Sequence, residues 1–557
     1  MGGAQLEARR RPALLGLSIL ALYALLCAWF WSFTADDAFI VYRYAENLAA
    51  GRGLVFNAGE RVSALTSPLH ALVCAALQVL TGHVVAGNKL LAVAAVGASA
   101  WLAVRREEFD PGDRALALGY ILLCPMVVLW TVGGLETPLL LSLVCLAHAL
   151  RPDARAGTAR ILAFSLCCGL CVVTRYDAVL FAGPLALASC GQRVRATSRR
   201  SEAWLFAAPA ALVVGGWLAF AKLYFHDIMP TSYYHKMPDH VIVEWIGYNL
   251  VYIAQGLVLT GLCVPLGVAA VRAWKASPAE RARLGSFAAG RAGELAGLLL
   301  VALYALQTGL SHMMFAFRMG IPYYPILVLA TLSLLRTLRP SDRPAAAQQP
   351  QWDLLGALAA WQLGVALLMD LSSVNPGLVG EYPKVSRREY VQFLSVLERQ
   401  ADAISADWRQ RDRGRPPRIY TYAAGLIPYR LADAYIFDGG LISYRYAFAG
   451  HTSEMQASAD YVLTLSPRHG SVEDQTGALA KSLQLVTRIE HEFDGEREHF
   501  DVWFNPSPSE RRLPAMIDGP AAPAPGGDRA GSPRRAPASR GRAPRRGSRR
   551  ARRAPPR

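Results

Sequence analysis

Charged residues are scarce in this sequence of 557 residues. Asp, Glu, Lys and Arg make up 18% of the chain, whereas apolar and aromatic residues reach 53%. Soluble domains carry about 25% charged residues, so this composition excludes an ordinary water-soluble globular protein. Many apolar runs extend over about 17–22 residues, which is enough to cross about 30 Å of hydrocarbon. The sequence therefore predicts a polytopic membrane protein.

Cysteine is absent after Cys263, so the C-terminal third cannot contain an intrachain disulfide. The earlier cysteines all lie in apolar segments. Cys168 and Cys171 form a CxxC pair, but without neighbouring His or further Cys the pair indicates helix packing rather than a metal or redox site. The first apolar run, Pro12–Phe33, has three arginines before it and no small-residue cleavage site after it, which predicts an uncleaved signal anchor.

Acidic residues are nearly missing from the last 52 positions. From Pro506 onward, fourteen Arg stand against Glu510, Asp518 and Asp528, which accounts for +11 of the net charge of +16. This Pro-, Gly- and Arg-rich segment, residues 506–557, is predicted to be disordered. An arginine tail can also bind nucleic acid, but the topology below places it outside the cell, so no nucleic-acid partner is expected. Anionic envelope polymer, lipid headgroups or simple solubilisation are the alternatives.

The apolar runs predict about eleven membrane-spanning helices. They are Pro12–Phe33, Asn88–Val104, Arg114–Val132, Leu135–Leu150, Ile161–Val173, Ala178–Cys190, Trp204–Tyr224, Asn249–Val271, Leu295–Ser311, Ile321–Leu335 and Leu354–Leu371. A further run, Ser67–Leu80, is about 14 residues long, which is typical of an interfacial or re-entrant segment. If this run does not span, the five most basic loops all lie in the cytoplasm, as the positive-inside rule requires. We therefore expect a juxtamembrane helix there and a cytoplasmic N-terminus.

The predicted organisation has three parts. Residues 1–373 form the transmembrane module, in which residues 34–87 are an outer loop with juxtamembrane helices. Residues 374–505 form a small extracytoplasmic α/β domain, with a long amphipathic helix in SRREYVQFLSVLERQADAISADW and strands in RIYTYAAGLIPYRL, DYVLTLS and HFDVWF. Residues 506–557 are the tail. The sequence shows no short internal repeat.

Two adjacent carboxylates, Asp36 and Asp37, follow the first span directly. Ionisable groups at a membrane boundary indicate a functional site, and a positioned carboxylate suits a general base that takes a proton from a hydroxyl. A second interpretation is that the pair caps the following helix as its N-cap and first residue. A divalent cation shared by the two carboxylates is a further alternative.

The segment TADDAFIVYRYAENLAAGRGLVFNAGERVSALTSPLHALV resembles the opening of the GT-C glycosyltransferases, membrane enzymes that use polyprenyl-phosphate sugars. Within them it is most similar to the mycobacterial terminal arabinofuranosyltransferases of arabinogalactan assembly. Further matches follow in order, namely GLETPLL, TRYDAVL, MPTSYYHK, FRMGIPYYPIL and AAGLIPYRLADAYIFDGGLI. The resemblance covers about residues 12–505. The sequence departs from the pattern at Tyr176, where proline is expected, and at His70, where an aromatic residue is expected.

The resemblance implies a set of site residues at the outer face. It makes Asp36 the catalytic base and gives Asp37 an orienting, sugar-binding or cation-sharing role. Donor phosphate and sugar contacts are expected from Glu136, Arg175, Tyr233, Tyr234, His235, Lys236 and Arg318. For Glu136, a place in the first turn of a helix is the alternative interpretation. No cofactor is implied with certainty.

The function expected from these residues is that of a membrane glycosyltransferase in a bacterial cytoplasmic membrane. It would transfer a sugar, arabinofuranose by resemblance, from a polyprenyl-phosphate donor to a cell-envelope glycan. Two alternatives are the same chemistry on lipid A or protein with another sugar, and a transporter or flippase of polyprenyl-linked sugar. A transporter is expected to carry its charges at mid-membrane on broken helices, whereas here they cluster at helix ends.

Overall fold

The computed structural model describes residues 3–236, 243–307, 316–339, 352–371, 386–438, 452–466, 470–493 and 496–509. The described residues belong to one compact unit, and the predicted tail beyond Ser509 lies outside the described residues, as does the predicted boundary at 373/374. The helices of the N-terminal part are α1 (Gly3–Trp29), α2 (Asp36–Ala49), α3 (Pro68–Thr81), α4 (Val84–Arg106), α5 (Pro111–Leu122), α6 (Pro125–Val132), α7 (Thr137–Leu150), α8 (Thr158–Thr174), α9 (Val179–Thr197), α10 (Ala203–Phe225), α11 (Thr231–Lys236), α12 (Val243–Leu259), α13 (Cys263–Trp274), α14 (Pro278–Gly290), α15 (Ala292–Gln307), α16 (Tyr324–Thr337) and α17 (Trp352–Leu371).

These helices follow the apolar runs closely. By length and hydropathy, two described helices are long enough to cross a membrane alone, Val84–Arg106 and Arg200–Phe225, and three bent helix pairs reach the same criterion together. Several shorter apolar helices accompany them. The predicted count of eleven spans therefore stays a prediction. Ser67–Leu80 is confirmed as a separate short helix, α3, which begins at Pro68 because proline is favoured in the first helical turn.

The bent pairs show where apolar runs do not form one straight helix. The run Asn249–Val271, predicted as one span, is two helices that meet at 99° between Leu259 and Cys263. Gly261 adopts a left-handed φ of 72° in this break, a conformation that costs glycine little. The run Arg114–Val132 is likewise bent, by 53°, where Pro125 begins α6 without a backbone N–H to continue α5.

Buried ion pairs lie at one end of the helical bundle. At the C-terminal end of α7, His148 lies 2.6 Å from Glu294 of α15 and 3.0 Å from Glu107, which follows α4. Arg291 also pairs with Glu294, at 2.8 Å. These contacts join three helices at one end, and a 14-residue helix such as α7 places its other end about 20 Å away. Glu136 immediately precedes that other end.

The C-terminal part is a small sheet with helices. The described strands are β1 (Arg418–Thr421), β2 (Tyr435–Asp438), β3 (Tyr461–Ser466), β4 (Gln484–Phe493) and β5 (Glu496–Phe504), in the order β2-β1-β3-β5-β4. β1 is parallel to β2 and β3, whereas β5 is antiparallel to β3 and β4. The predicted strand over RIYTYAAGLIPYRL is wrong beyond Thr421, because the chain turns there into the short helix α19 (Leu426–Arg430).

The long amphipathic helix is confirmed as α18 (Arg387–Arg411). Ser386 accepts a bond from the backbone N–H of Glu389, and the Glu389 side chain accepts one from the backbone N–H of Ser386, so a capping box fixes where the helix begins. Arg387 and Arg388 both pair with the buried Asp370 near the end of α17. This contact holds the start of the C-terminal part against the helical bundle.

The juxtamembrane helix α2 carries the second connection. Arg43 is buried in α2 and donates to the carbonyl oxygens of Phe56, at 2.8 Å, and Ala434, at 2.6 Å. It also donates to the carbonyls of Pro428, in α19, and of Leu431, the residue that ends this helix. One guanidinium therefore joins the outer loop to the C-terminal part.

Candidate active site

The Asp36–Asp37 pair begins α2 and lies against the C-terminal part. Asp36 and Asp37 are the first two helical residues, and the N-cap is Ala35, so the prediction that Asp36 is itself the N-cap is wrong. The Asp36 carboxylate instead accepts a 2.8 Å hydrogen bond from the backbone N–H of Leu426, at the start of α19. Its own backbone N–H donates to the hydroxyl of Tyr390, at 2.8 Å.

The backbone around Gly425 leaves no room beside Asp36. A methyl group placed on Gly425 would lie 2.0 Å from the carbonyl oxygen of Asp36 and 2.6 Å from its Cγ. Only glycine therefore permits this approach, which aims the following N–H at the carboxylate. The turn after strand β1 thus forms one wall of the site.

Burial governs the ionisation of Asp36. The side chain is half-buried, while Asp37 is exposed. Desolvation raises the pKa of Asp36 to about 7; the bond from Leu426 opposes this shift, and the charges of Asp37 and, more weakly, Asp438 add to it. A carboxylate whose pKa lies near neutral pH is well matched to accept a proton. Asp438, at the carboxyl end of β2, was not singled out from the sequence.

A second cluster of charges surrounds Glu136. Its carboxylate is buried and accepts hydrogen bonds from Arg318, at 3.0 Å, and from Arg175, at 3.2 Å. Arg175 also pairs with Asp177, at 2.8 Å. Glu136 is the N-cap residue of α7, but its side chain makes no capping hydrogen bond, and its carboxylate instead binds the two guanidinium groups.

The Arg318 side chain is placed by an unusual backbone. The two residues before it, Ala316 and Phe317, have φ values of 49° and 55°, a left-handed conformation that non-glycine residues rarely adopt and that tends to occur at functional sites. Trp130 donates from its indole nitrogen to the Ala316 carbonyl, at 3.0 Å. The Arg318 guanidinium stacks over the ring of Trp130, 5.5 Å from its centroid.

The two clusters belong to one region. The backbone N–H of Ala35 donates to the Gly133 carbonyl, at 2.9 Å, so the start of α2 lies against the segment that leads to Glu136. Phe33 packs against the ring of Tyr390, with centroids 5.2 Å apart. Tyr390 lies 354 residues from Asp36 in the chain, and no local signal in the sequence marks it.

The loop helix α11 is attached to the outer loop. The backbone N–H of Thr231 donates to the Ser63 carbonyl, at 2.7 Å. Tyr233, in this helix, is exposed. Tyr234, His235 and Lys236 complete this helix, and their side chains lie outside the described part of the chain.

Several buried polar atoms near Glu136 have no hydrogen-bond partner among the described residues. They are Ser67 Oγ, His70 Nδ1, Thr137 Oγ1, Arg318 Nε and Tyr323 Oη. Buried polar groups are normally paired, so these atoms are candidates to bind a polar ligand. The sequence indicated only Arg318 among them as a contact residue.

Nowhere among the described residues do three or more His, Cys, Asp or Glu side chains come together as metal ligands. A divalent cation shared by Asp36 and Asp37 would have these two carboxylates as its described ligands, and the Asp36 carboxylate also accepts the Leu426 N–H. The shared cation stays a prediction.

Comparisons with known proteins place the fold. The chain is similar to ArnT from Cupriavidus metallidurans in the apo state, with a TM-score of 0.56 and 14% identity over 87% of this chain and 97% of that one. For the same protein bound to undecaprenyl phosphate, the TM-score is 0.58 and the identity 14%, over 88% and 97% of the two chains. The predicted fold class, a multi-pass helical membrane protein with a small C-terminal sheet, is confirmed, and the fold is similar to that of ArnT.

A curated relative matches over a much shorter stretch. The terminal β-(1→2)-arabinofuranosyltransferase of Corynebacterium glutamicum is 50% identical over 48 residues. This stretch spans only 9% of this chain and 7% of that enzyme. No protein-family model matches the chain.

Proposed function

We propose that this chain is a membrane glycosyltransferase. It transfers a sugar from a polyprenyl-phosphate donor to a hydroxyl of a cell-envelope glycan at the outer face of the cytoplasmic membrane. The observation that carries the proposal is the half-buried carboxylate Asp36, adjoining the arginine cluster at Glu136 in an ArnT-like fold. Undecaprenyl phosphate bound to ArnT supports the lipid class of the donor, and the short match to an arabinofuranosyltransferase supports a pentofuranose sugar.

The proposed reaction uses one base and one leaving phosphate. The acceptor hydroxyl attacks the anomeric carbon and its proton passes to the Asp36 carboxylate. The bond between the anomeric carbon and the phosphate oxygen breaks, and polyprenyl phosphate leaves with that bonding pair. Phosphate is a good leaving group and needs little acid assistance, so the base contributes most of the proton-transfer catalysis, about 10²–10⁴-fold.

The ion pairs of the two arginines leave no net positive charge to bind the donor phosphate. The two guanidinium groups of Arg175 and Arg318 are balanced by the two carboxylates of Glu136 and Asp177. Arg318 keeps its Nε free of partners among the described residues, so it can still donate one hydrogen bond to the donor. We assign the remaining positive charge to Lys236 in α11, which follows Tyr233 and Tyr234.

The acceptor glycan is proposed to lie along the seam between α2 and the C-terminal part. A groove of about 260 Å³ lies there, lined by Glu46, Ala401, Asp402, Ser405, Tyr429, Arg430 and Leu431. The Tyr429 ring packs on Phe39 and its hydroxyl bonds to Glu46, while Arg430 pairs with Asp402, at 2.9 Å. An aromatic face beside carboxylates and a guanidinium is suited to bind sugar hydroxyls. Ten residues of α2 separate Asp36 from Glu46, which corresponds to about 15 Å.

The first prediction concerns the base. Asp36→Asn should lower turnover by about 10²-fold or more without changing membrane insertion. The wild-type kcat/KM should rise with pH through about 7, because only the ionised carboxylate accepts a proton. Asp37→Asn is the matched control: removing this charge lowers the pKa of Asp36, so the rise should move to lower pH. A pH profile of sugar transfer in membrane vesicles is recorded for the wild type and for both variants. Turnover near the wild-type value for Asp36→Asn would disprove that Asp36 is the base.

A second prediction concerns the donor phosphate. Lys236→Gln should raise the donor KM about tenfold, since a charge pair counts for more in a medium less polar than water, and should leave the acceptor KM unchanged. Lys222→Gln, at the last turn of α10, is the control and should change neither. Initial rates at varied concentrations of polyprenyl-phosphoryl sugar give both constants. If Lys236→Gln and Lys222→Gln changed the donor KM equally, the donor phosphate would be bound by other cations.

The acceptor groove yields a third prediction. Ser405→Trp should fill the groove and raise the KM for long glycan acceptors about tenfold or more, by loss of roughly one to two hydrogen-bonded contacts. Short acceptors that end before the groove should be transferred normally. Ser395→Trp, at an exposed position of the same helix, is the control. If long and short acceptors respond alike to Ser405→Trp, the glycan does not follow this seam.

A further inference from the structure

A chain of hydrogen bonds behind the Glu136 cluster determines the protonation of His70. The Tyr42 hydroxyl donates to the Gly134 carbonyl, at 3.1 Å. The Tyr42 hydroxyl proton is therefore engaged in this bond. The Asn88 atom that contacts the Tyr42 oxygen has to be a hydrogen-bond donor. The Asn88 amide nitrogen fills that role, 3.0 Å from the Tyr42 oxygen and 3.1 Å from the Gly134 carbonyl.

The other side of the Asn88 amide is consequently its oxygen. This Oδ1 faces His70 Nε2 at 3.2 Å. An amide oxygen only accepts, so Nε2 carries a proton, and the Cys74 sulfur 3.4 Å from the same nitrogen is compatible with this assignment. In neutral imidazole the second nitrogen is then a bare acceptor. His70 is 1% exposed, and its Nδ1 has no partner among the described residues.

The surroundings of His70 indicate what this acceptor receives. The Asn88 amide that contacts His70 also bonds to the carbonyl of Gly134, two residues before Glu136. Near His70, Ser67 Oγ is one helical turn earlier at the start of α3, and Thr137 Oγ1 follows Glu136; both are buried and lack partners in the described part of the chain. Arg318 Nε is a donor that is likewise buried and has no partner among the described residues. These four unpartnered atoms comprise one fixed acceptor, one fixed donor and two hydroxyls.

This combination distinguishes between ligand groups. A nitrogen lone pair repels a phosphate oxygen but accepts a hydrogen bond from a hydroxyl, and the same hydroxyl can accept one from a guanidinium N–H. We propose that His70 Nδ1 binds one ring hydroxyl of the donor sugar and so determines which sugar is accepted. The inference rests on the proposed glycosyl transfer and adds to it a residue that selects the sugar.

The test uses a series of donors rather than a single variant. Polyprenyl-phosphoryl arabinofuranose and its 2-, 3- and 5-deoxy forms are compared as donors for the wild-type protein, His70→Phe and the control Cys74→Ala. The wild type should disfavour one deoxy donor by about tenfold or more in kcat/KM, because the unmet acceptor stays buried. His70→Phe should lose a similar factor on the complete sugar and treat that deoxy donor and the complete donor alike. Cys74→Ala should keep the wild-type pattern.

Each result decides between the claims. If the wild type transfers the complete sugar but discriminates against none of the deoxy donors, or if His70→Phe retains the wild-type discrimination, the role of His70 is disproved while glycosyl transfer stands. If the wild type transfers no sugar at all, the proposed function itself fails. Should His70→Phe not fold, His70→Gln replaces it: Gln supplies an N–H to Asn88 and a carbonyl acceptor, and it should shift the preference among the four donors.

Discussion

The arrangement depends on one contact, the docking of the C-terminal part on the juxtamembrane helix α2. Arg43 is central to this contact, because its guanidinium donates hydrogen bonds to backbone carbonyls of both the outer loop and the α19 region. Asn57 supplements it: its amide donates to the Ile436 carbonyl, at 2.9 Å, and accepts from the Ile436 N–H, at 3.0 Å. Hydrogen bonds to charged groups contribute about 1.5–3 kcal/mol each, so this buried guanidinium strongly favours a single docked geometry.

The docked geometry creates the environment of the proposed base. Asp36 lies where the turn after β1 meets the start of α2, and its carboxylate receives the Leu426 N–H only because Gly425 has no side chain. In open α/β sheets, ligands bind outside the carboxyl ends of parallel strands, and β1 and β2 direct those ends toward this region. In this account the membrane part supplies the charges for the lipid-linked donor, and the C-terminal part encloses the reacting hydroxyl.

Much of the fold could be predicted from the sequence because its signals are local. Apolar runs predicted the helices α1, α4, α7, α8 and α10 to within a few residues at most ends, and the amphipathic pattern predicted α18. The bend between Leu259 and Cys263 was missed, since a continuous apolar run hides a change of direction that Gly261 makes possible.

The site was only partly predictable. The Asp36–Asp37 pair, Glu136, Arg175 and Arg318 stand out as charges at the ends of apolar runs, and the structure brings them into one region. Tyr390 and Gly425 could not be found, because their roles arise from contacts with a residue more than 350 positions away. His70 was noted only as a departure from a family pattern, and its unpartnered nitrogen becomes apparent only with Asn88 and Tyr42 in place.

The most direct test of the central claim is the pH dependence of sugar transfer by Gly425→Ala. The added methyl group would lie 2.0 Å from the Asp36 carbonyl oxygen, so it has to displace the turn from the proposed base. Gly285→Ala, in α14 with open space around it, is the matched control. We expect Gly425→Ala to lower kcat/KM by about 10²-fold and to shift the pH at which kcat/KM rises, and we expect neither change for Gly285→Ala. If Gly425→Ala transferred sugar at the wild-type rate with an unchanged pH dependence, the turn after β1 would not position Asp36 as the base.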